Sequence, residues 1–264
     1  MAHLALVAHP GRAAAVALAD DAVAWLKARG HDASIVLEGA LPSDCEVIVS
    51  LGGDGTMLHA VALAGAAVPV LGVNVGHLGY LTEVEPDWLM DALERFLAGD
   101  YRIEHRMTLD IDAGGSTYHA LNEAVVEKTL PGHTVRMAMT IDGEPLVTYA
   151  ADGLIVATPT GSTAYNLSAR GPICSPTHRA LVVTPVSAHM LFDRSLVLDP
   201  AEVLALEVLG PTPARLVVDG RVVADVAPGD VVRCRVGGAD AKLVTFGTRN
   251  FHRILQTKFG LADR

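Results

Sequence analysis

Three scarcities narrow the classes of protein to which this chain of 264 residues can belong. Its only cysteines are Cys45, Cys174 and Cys234; their number and wide spacing argue against a disulfide scaffold and favour a reduced, cytoplasmic protein. No apolar run approaches the length of a membrane span. Basic residues are outnumbered, 20 Lys and Arg against 30 Asp and Glu, and the net charge of −10 argues against binding to nucleic acid or anionic membranes.

Apolar residues are abundant, at half of the chain, which is enough to build one large domain or two modest ones. Residues 3–95 alternate short apolar runs with helical stretches, a pattern typical of a parallel α/β sheet. The predicted strands of this half are Leu4–Ala8, Ile35–Leu37, Val47–Val49 and Val68–Val73, and the predicted helices are Ala13–Arg29, Met57–Ala64 and Asp87–Leu97.

The pattern changes from about Tyr101, where short β-rich runs follow one another and are separated by hairpin signals such as Asp142-Gly143. One of these runs, Thr117–Glu127, is long enough for a single extended strand. The second half is therefore predicted to be an antiparallel β-sandwich or an irregular barrel. We expect an α/β plus all-β protein, with a Rossmann-like parallel α/β domain in residues 1–98 and a β-sandwich domain in residues 99–245. The remaining segment, 246–264, includes a predicted helix and is expected to pack on the first domain.

The segment Gly52-Gly53-Asp54-Gly55-Thr56 lies between a predicted strand and a predicted helix. Glycines let a ligand approach the backbone closely, and a helix N-terminus attracts anions. The alternative is a tight turn with a solvated aspartate, but ligands of parallel sheets bind at the carboxyl ends of the strands, where this segment falls. GxxxxGK[ST] and a complete GxGxxG are both absent. Asp54 beside a phosphate site suits phosphoryl transfer, as proton acceptor or Mg²⁺ ligand.

A second segment, Asp152–Ser168, runs from a predicted strand into a turn rich in hydroxyl groups. Its hydroxyls suit a ribose or a phosphate, and the ring of Tyr165 suits a nucleotide base. The alternative is an N-capping turn in which Thr160 or Ser162 is the cap and Tyr165 packs in the core. That alternative explains one hydroxyl group but not the whole set.

Together, GGDGT at Gly52–Thr56 and DGLIVATPTGSTAYNLS at Asp152–Ser168 resemble the motifs of the NAD kinase family. Leu121-Asn122-Glu123 matches the NE/D motif of that family, and Gly72–Thr82 resembles its GxNxGxLGFLT segment. The resemblance covers nearly the whole chain in the expected order. GGDG alone also occurs in diacylglycerol, sphingosine and phosphofructokinase-type enzymes, whereas TPTGSTAY is much more selective.

The resemblance implies phosphorylation of the 2′-hydroxyl of the adenosine ribose of NAD, which gives NADP, with ATP or polyphosphate as the donor. It also implies a divalent metal cofactor, Mg²⁺, and a homodimer or homotetramer. Asp54 is the expected catalytic residue, and no residue is assigned as a dedicated metal ligand. The phosphate loop is expected to comprise Gly52, Gly53, Gly55 and Thr56.

The same resemblance assigns parts of the dinucleotide to particular residues. Asn122 and Glu123 are expected at the adenosine, Asp152 at the nicotinamide end, and residues 163–168 around the adenine. The full set expected to bind NAD is Asp54, Gly55, His59, Asn122, Glu123, His133, Asp152, Thr160, Thr163, Ala164, Tyr165, Asn166, Leu167 and Ser168.

Several alternatives stay open at the level of sequence. Asn122-Glu123 also fits an ordinary polar break in a strand, His133 a solvated loop histidine, and Glu127-Lys128 a solvated charge pair. A lipid kinase with the same glycine turn and a non-catalytic NAD(P)-binding sensor are the competing functions. The chain departs from the family pattern at four positions, Val75, Arg170, Ser195 and Arg221. These departures leave open which phosphate donor is used and whether NAD or NADH is preferred.

Overall fold

The computed structural model describes residues 1–36 and 39–261. They form two compact units, one made of residues 1–105 with the segment that begins at Ala241, the other of residues 106–240. The first contains a parallel α/β sheet and the second two antiparallel sheets, so the expected fold class is confirmed. The domain boundaries proposed from the sequence, at residues 98 and 245, stay predictions.

The secondary-structure elements fall into three stretches along the chain. The first stretch contains β1 (His3–Ala8), α1 (Ala13–Ala28), β2 (Asp32–Ile35), β3 (Cys45–Gly52), α2 (Asp54–Ala64), β4 (Val70–Asn74), a 3₁₀ turn (Pro86–Trp88), α3 (Leu89–Leu97) and β5 (Arg102–Arg106). The second contains β6 (Leu109–Ala113), β7 (Ser116–Ala120), β8 (Glu123–Lys128), β9 (Val135–Ile141), β10 (Glu144–Ala151), β11 (Gly153–Ala157), a 3₁₀ turn (Gly161–Thr163), α4 (Tyr165–Ser168), β12 (Leu181–Val186), β13 (Leu196–Leu198), β14 (Leu204–Leu209), β15 (Ala214–Val218), β16 (Arg221–Val226) and β17 (Val231–Val236). The last contains β18 (Ala241–Thr245) and α5 (Phe251–Phe259).

The sheet of the first unit has the strand order β2-β1-β3-β4-β18-β5. The pairs β1–β2, β1–β3, β3–β4 and β4–β18 are parallel. Helix α1 packs on this sheet through small side chains at helical spacing, Ala15, Ala19 and Ala22, followed by Leu26, all fully buried. The parallel order places the ends of β1, β3 and β4 side by side: the N–H of His9 bonds Leu51 O, and the N–H of Val75 bonds Gly52 O.

The sheets of the second unit have the orders β10-β9-β14-β17-β6-β7 and β13-β12-β11-β8-β15-β16. Apolar residues of both sheets share one core, which includes Leu109 and Leu206 from the first sheet and Leu154 and Leu216 from the second. This is the face-to-face packing of a β-sandwich.

Several elements differ from the sequence prediction. Thr117–Glu127 is not one strand: β7 and β8 belong to different sheets, and the chain crosses between them at Leu121-Asn122. Helix α2 begins at Asp54, three residues before the predicted start, so the GGDGT segment includes the first turn of the helix. The second strand is Asp32–Ile35 rather than Ile35–Leu37, and Leu37 lies outside the described residues.

Other differences concern strands and charges that the sequence did not place. Strands β5 and β18 join the parallel sheet and were not predicted, because the charged run of β5 shows little apolar alternation. Glu127 and Lys128 are not a solvated pair with each other: Glu127 bonds Arg215 at 2.7 Å and Lys128 bonds Asp152 at 2.6 Å.

Two further features of the described residues bear on the composition argument. All three cysteines are free thiols. None of the described helices combines the length and apolarity that crossing a membrane requires.

Arg170 offers a test of backbone strain, since its φ of 65° lies in the left-handed region and it stands where the NAD kinase pattern has glycine. The left-handed region costs a non-glycine residue about 1–2 kcal/mol. Glycine avoids that cost but lowers the free energy of unfolding by about 0.4–1 kcal/mol, because it gives the unfolded chain more conformational entropy. We expect Arg170→Gly to raise the free energy of unfolding by about 0.5–1 kcal/mol, measured by urea denaturation. Arg136→Gly, at an exposed position within β9, is the control and should be destabilising. Equal destabilisation by both variants would contradict the strain argument.

Candidate active site

The carboxylate of Asp54 is held by backbone N–H groups from a distant turn of the same unit. The N–H of Tyr80 donates to Oδ1 at 3.0 Å and to Oδ2 at 2.9 Å, and the N–H of Leu81 donates to Oδ1 at 2.9 Å. Because backbone donors cannot rotate away as side chains do, they fix the orientation of the carboxylate. Asp54 is therefore a preorganised anion at the start of α2.

Arg249 stabilises the turn at Tyr80 and Leu81 whose N–H groups bond Asp54. Its guanidinium donates to the carbonyl oxygens of Tyr80 at 3.4 Å and Leu81 at 3.0 Å, and it forms an ion pair with Glu104 at 2.6 Å. The peptide group between Tyr80 and Leu81 thus accepts from a cation at its oxygen and donates to a carboxylate at its nitrogen. Such chains of hydrogen bonds polarise one another and strengthen the contact with Asp54.

Buried hydroxyl groups that lack a hydrogen-bond partner among the described residues cluster around the same segment. They are the Oγ1 atoms of Thr56 and Thr82 and the Oγ atom of Ser50, and each of these residues is more than nine-tenths buried. Buried polar groups in proteins are nearly always hydrogen-bonded, so several unpartnered hydroxyls in one place indicate a site for a polar ligand or water. Predicted phosphate-loop residues Gly52, Gly53 and Gly55 lie at this junction, and His59 follows on α2, partly buried.

In the second unit, the structure brings the Asn122-Glu123 break together with the start of the Thr160–Ser168 segment. The N–H of Thr158 donates to Asn122 O at 2.8 Å, and the hydroxyl of Thr158 donates to Leu121 O at 2.6 Å. A side chain at Gly161 would place its Cβ only 2.1 Å from Asn122 O, so only glycine permits this approach. The backbone N–H of Tyr165 also bonds the Glu123 carboxyl group.

The hydroxyl groups of the Thr160–Ser168 segment mostly have partners within the protein. Thr160 Oγ1 accepts from buried Arg106 at 3.2 Å, and Ser162 Oγ donates to Pro159 O and accepts from the N–H of Cys174. The capping alternative, with Thr160 or Ser162 as the cap, is wrong, because the oxygen that accepts the N–H of Gly161 belongs to Thr158.

Asn166 is fully buried, and its side chain bonds Ser162 O, Pro172 O and the hydroxyl of Thr184. Its structural contribution is to hold the turn that follows α4. The remaining predicted residues of this segment show different exposure: Thr163, Ala164 and Leu167 are partly buried, and Ser168 is exposed.

Tyr165 does not pack in the core, since 39% of it is exposed. Burial of part of the ring raises the pKa of its phenol, and the nearby carboxylates of Glu127, Asp152 and Glu123 add to the rise. Asp152 itself forms the ion pair with Lys128. His133 lies exposed in the loop between β8 and β9, and no hydrogen bond among the described residues joins its side chain to this group.

Two carboxyl groups lie at the Asn122-Glu123 break: Glu123 is buried and Asp219 is partly buried. Asp219 accepts the N–H groups of Leu121 at 2.8 Å, Asn122 at 2.8 Å and Glu123 at 3.0 Å. Burial raises the pKa of Glu123 to about 8, and the neighbouring Asp219 carboxylate adds to that rise. Among the described residues there is no cluster of three or more His, Cys, Asp or Glu side chains that could hold a metal ion.

Comparison with known proteins gives matches to both units of the chain. The family model described as the ATP-NAD kinase N-terminal domain matches residues 32–101, and that of the ATP-NAD kinase C-terminal domain matches residues 121–246. An NAD kinase of Heliobacterium modesticaldum is 46% identical over 81% of this chain and 78% of that protein. Another, of Syntrophotalea carbinolica, is 36% identical over 95% of both chains. This chain belongs to the ATP-NAD kinase family.

Membership of the ATP-NAD kinase family confirms the recognition of the motifs and the expected enzyme class, a kinase that acts on NAD. The lipid-kinase and non-catalytic sensor alternatives do not fit these relatives. The crystal structure of yeast NADH kinase complexed with NADH superposes with a TM-score of 0.87 at 23% identity, covering all of this chain and 89% of that one. At that level of identity the likeness shows the fold alone.

Sequence reasoning missed the residues that hold the expected site residues in place. Arg249 and Asp219 reach the predicted site residues only through folding, and no local pattern marks either as a support. Thr158 lies within the Asp152–Ser168 motif, but the motif does not reveal its bonds to Leu121 and Asn122. For Asp219, the one local signal is its Asp-Gly turn, which by itself predicts an ordinary hairpin.

Gly79 provides a test of the fixed position of Asp54. A Cβ atom at position 79 would lie 2.4 Å from Asp54 Oδ1 and 2.8 Å from Thr82 Oγ1, so Gly79→Ala must displace the carboxylate. We expect kcat to fall by about 10- to 100-fold, since a misplacement of about 1 Å can cost that much. Steady-state kinetics measures the effect. Gly238→Ala, where a Cβ meets no atom within 4 Å, is the control. Equal activity of the two variants would contradict the claim that activity depends on the fixed position of the Asp54 carboxylate.

Proposed function

We propose that this chain transfers a phosphoryl group from ATP to the 2′-hydroxyl of the adenosine ribose of NAD, giving NADP. The observation that carries the proposal is the Asp54 carboxylate, fixed by the N–H groups of Tyr80 and Leu81 at the start of α2. Two solved structures of the same fold support the choice of ligands: one is a yeast NADH kinase complexed with NADH, the other an Archaeoglobus fulgidus NAD kinase in complex with ATP, with a TM-score of 0.80 at 22% identity.

In this mechanism Asp54 orients the ribose hydroxyl and accepts its proton. A carboxylate is too weak a base to remove that proton in advance, but in a loose phosphoryl-transfer transition state the hydroxyl becomes acidic only as the new bond forms. The hydrogen bonds from Tyr80 and Leu81 keep the carboxylate in place until then. The carboxylate therefore does not have to be oriented when the phosphate donor binds, which lowers the entropic part of the barrier.

The glycine turn before α2 is the proposed donor site. The N-terminus of an 11-residue helix offers backbone N–H groups and a favourable dipole to phosphate oxygens. The hydroxyl of Thr56 has no hydrogen-bond partner among the described residues, lies in the first turn of that helix and can donate to the same oxygens.

The family's divalent cation, expected to be Mg²⁺, fits the oxygen ligands available here. Mg²⁺ is commonly held by one or two carboxylates together with substrate phosphates and waters, and Asp54 is the carboxylate beside the proposed donor site. When bound, the cation would neutralise charge that develops on the transferred phosphoryl group.

The second unit supplies the proposed adenosine site. Glu123 and Tyr165 are joined by a hydrogen bond and lie beside Asn122. The ring of Tyr165, being partly exposed, is able to stack on adenine. Asp152 at the nicotinamide end, and His59 and His133 as ligands of the dinucleotide, are retained as proposals that rest on the resemblance. So are a cytoplasmic location and a homodimer or homotetramer.

Asp54→Asn should abolish most of the NADP formation that the wild-type protein shows with NAD, ATP and Mg²⁺. Asn keeps the shape but cannot accept the proton, so we expect kcat to fall by about 10²- to 10⁴-fold with little change in the dissociation constant for NAD. A coupled assay for NADP and titration calorimetry measure the two quantities, with Asp20→Asn, exposed on α1, as the control. Turnover near that of the wild type would show that Asp54 has a structural role in the turn and no catalytic one.

Tyr165→Ala should raise the KM for NAD by about 10- to 100-fold, in keeping with the loss of about 1–3 kcal/mol of stacking, and should change kcat much less. Stacking is similar in the ground state and the transition state, so its loss acts on binding. Tyr165→Phe keeps the ring and should retain the wild-type KM. An unchanged KM in a folded Ala variant would remove the proposed stacking.

A further inference from the structure

Glu123, which is buried, and Asp219, which is partly buried, are two carboxyl groups joined to the same stretch of backbone. Asp219, at the turn between β15 and β16, accepts the N–H groups of three consecutive residues, 121 to 123. Its φ of 45° lies in the left-handed region, which aspartate adopts readily at the first position of an Asp-Gly hairpin turn. The N–H of Asp219 in turn donates to Glu123 O at 3.0 Å. The side chain of Asp219 therefore fixes the backbone at the point where β7 gives way to β8.

The two carboxyl groups differ in the donors that they receive. Burial raises the pKa of Asp219 too, but its three N–H donors and the nearby positive charge of Arg221 oppose that rise. Glu123 has the N–H of Tyr165, and its Oε2 atom is buried with no hydrogen-bond partner in the part of the chain that the structure describes. When two neighbouring carboxyl groups cannot both ionise at low cost, the proton resides on the one with the poorer donors. That group is Glu123.

Asp219 is the charged group that acts directly on Glu123. Asp219 faces it from the β15–β16 turn, and burial together with that charge raises the pKa of Glu123 to about 8. Tyr165 faces it from α4, and Glu127 and Asp152 act on the same tyrosine. The cations Lys128 and Arg215 are already paired, with Asp152 and Glu127 respectively. Arg221 acts on Asp219.

We propose that Glu123 is a neutral carboxylic acid at neutral pH and donates a hydrogen bond from Oε2 to an acceptor atom of the bound adenosine, a ring nitrogen or a ribose oxygen. Asp219 is the positioning residue that fixes the backbone of Glu123 and, through its negative charge, keeps the proton on it. This inference rests on the proposed function, in which the adenosine of NAD binds beside Asn122 and Glu123.

The proposal predicts a particular pH dependence of NAD binding. Only the protonated form of Glu123 can donate, so the apparent dissociation constant should be constant near neutral pH. It should then rise as Glu123 ionises, by about tenfold between pH 7 and pH 9 for a group that titrates near 8. In Glu123→Gln the amide N–H replaces the carboxyl O–H, so binding should persist and lose this pH dependence. In Asp219→Asn the rise should begin at lower pH, because the negative charge that retains the proton is gone.

Calorimetric titration with NAD between pH 6.5 and pH 9.5 tests the binding claim. Glu127→Gln, which removes another carboxylate of β8 and its ion pair with Arg215, is the matched control and should keep the wild-type pH dependence. Constant affinity across this range in the wild type, or an unchanged tenfold loss in Glu123→Gln, would overturn the proposal.

A second measurement requires no ligand, so it separates this inference from the proposed function. In protein labelled with ¹³C at glutamate carboxyl carbons, the resonance lost in Glu123→Gln should titrate near pH 8, and titration below pH 6 would overturn the inference even if NADP is formed.

The pH dependence of the protein's stability should show the same raised pKa of Glu123. A raised pKa in the folded state contributes stability that is present below the ordinary value of 4.5 and is lost as the pH rises to about 8. The thermal midpoint should therefore fall from pH 6 to pH 8 more steeply in the wild type than in Glu123→Gln.

If the protein binds no NAD and forms no NADP while Glu123 titrates near pH 8, the proposed function fails and the hydrogen bond to adenosine fails with it. If NADP is formed and Glu123 titrates as an ordinary glutamate, the inference fails alone.

Discussion

The hydrogen bonds from the Tyr80 and Leu81 N–H groups to Asp54 are the contact on which the proposed chemistry depends. They orient a carboxylate that would otherwise rotate freely at the start of a helix. Their own position depends on Arg249, which binds the carbonyl oxygens of the same turn and is in turn paired with Glu104. A residue just before α5 thus supports the geometry of the GGDGT segment, and the C-terminal segment has a role in the site as well as in the sheet.

The second unit also contains a carboxylate that accepts hydrogen bonds from consecutive backbone N–H groups, but its role is different. Asp219 is also held by consecutive backbone N–H groups, but there the carboxylate is the support and the backbone of Asn122 and Glu123 is what it positions. The result is one carboxyl group that is satisfied and one, Glu123, whose Oε2 has no partner among the described residues. Buried groups left without partners are costly, and such groups occur where a ligand supplies the missing partner.

Local pattern predicted the strand–glycine–helix order around Asp54, the sandwich of the second half and the motifs that identify the family. These features depend on residues close together in the chain. The contacts of Arg249 with the Tyr80 and Leu81 carbonyl groups and of Asp219 with the N–H of Leu121 join residues about 100 to 170 positions apart. No periodicity encodes such pairs. The split of Thr117–Glu127 into two strands was missed for a related reason, since the break at Asn122 is fixed by Asp219 and Thr158 from outside the run.

The central claim is that the enzyme places a phosphate on the 2′-hydroxyl of the adenosine ribose. The most direct measurement is ³¹P NMR of the product formed from NAD, ATP and Mg²⁺, with the position of the new phosphate established from its coupling to the ribose protons. The account predicts a phosphate monoester at the 2′-oxygen that appears in step with ADP. Hydrolysis of ATP without this product, or a phosphate on another hydroxyl group, would contradict it.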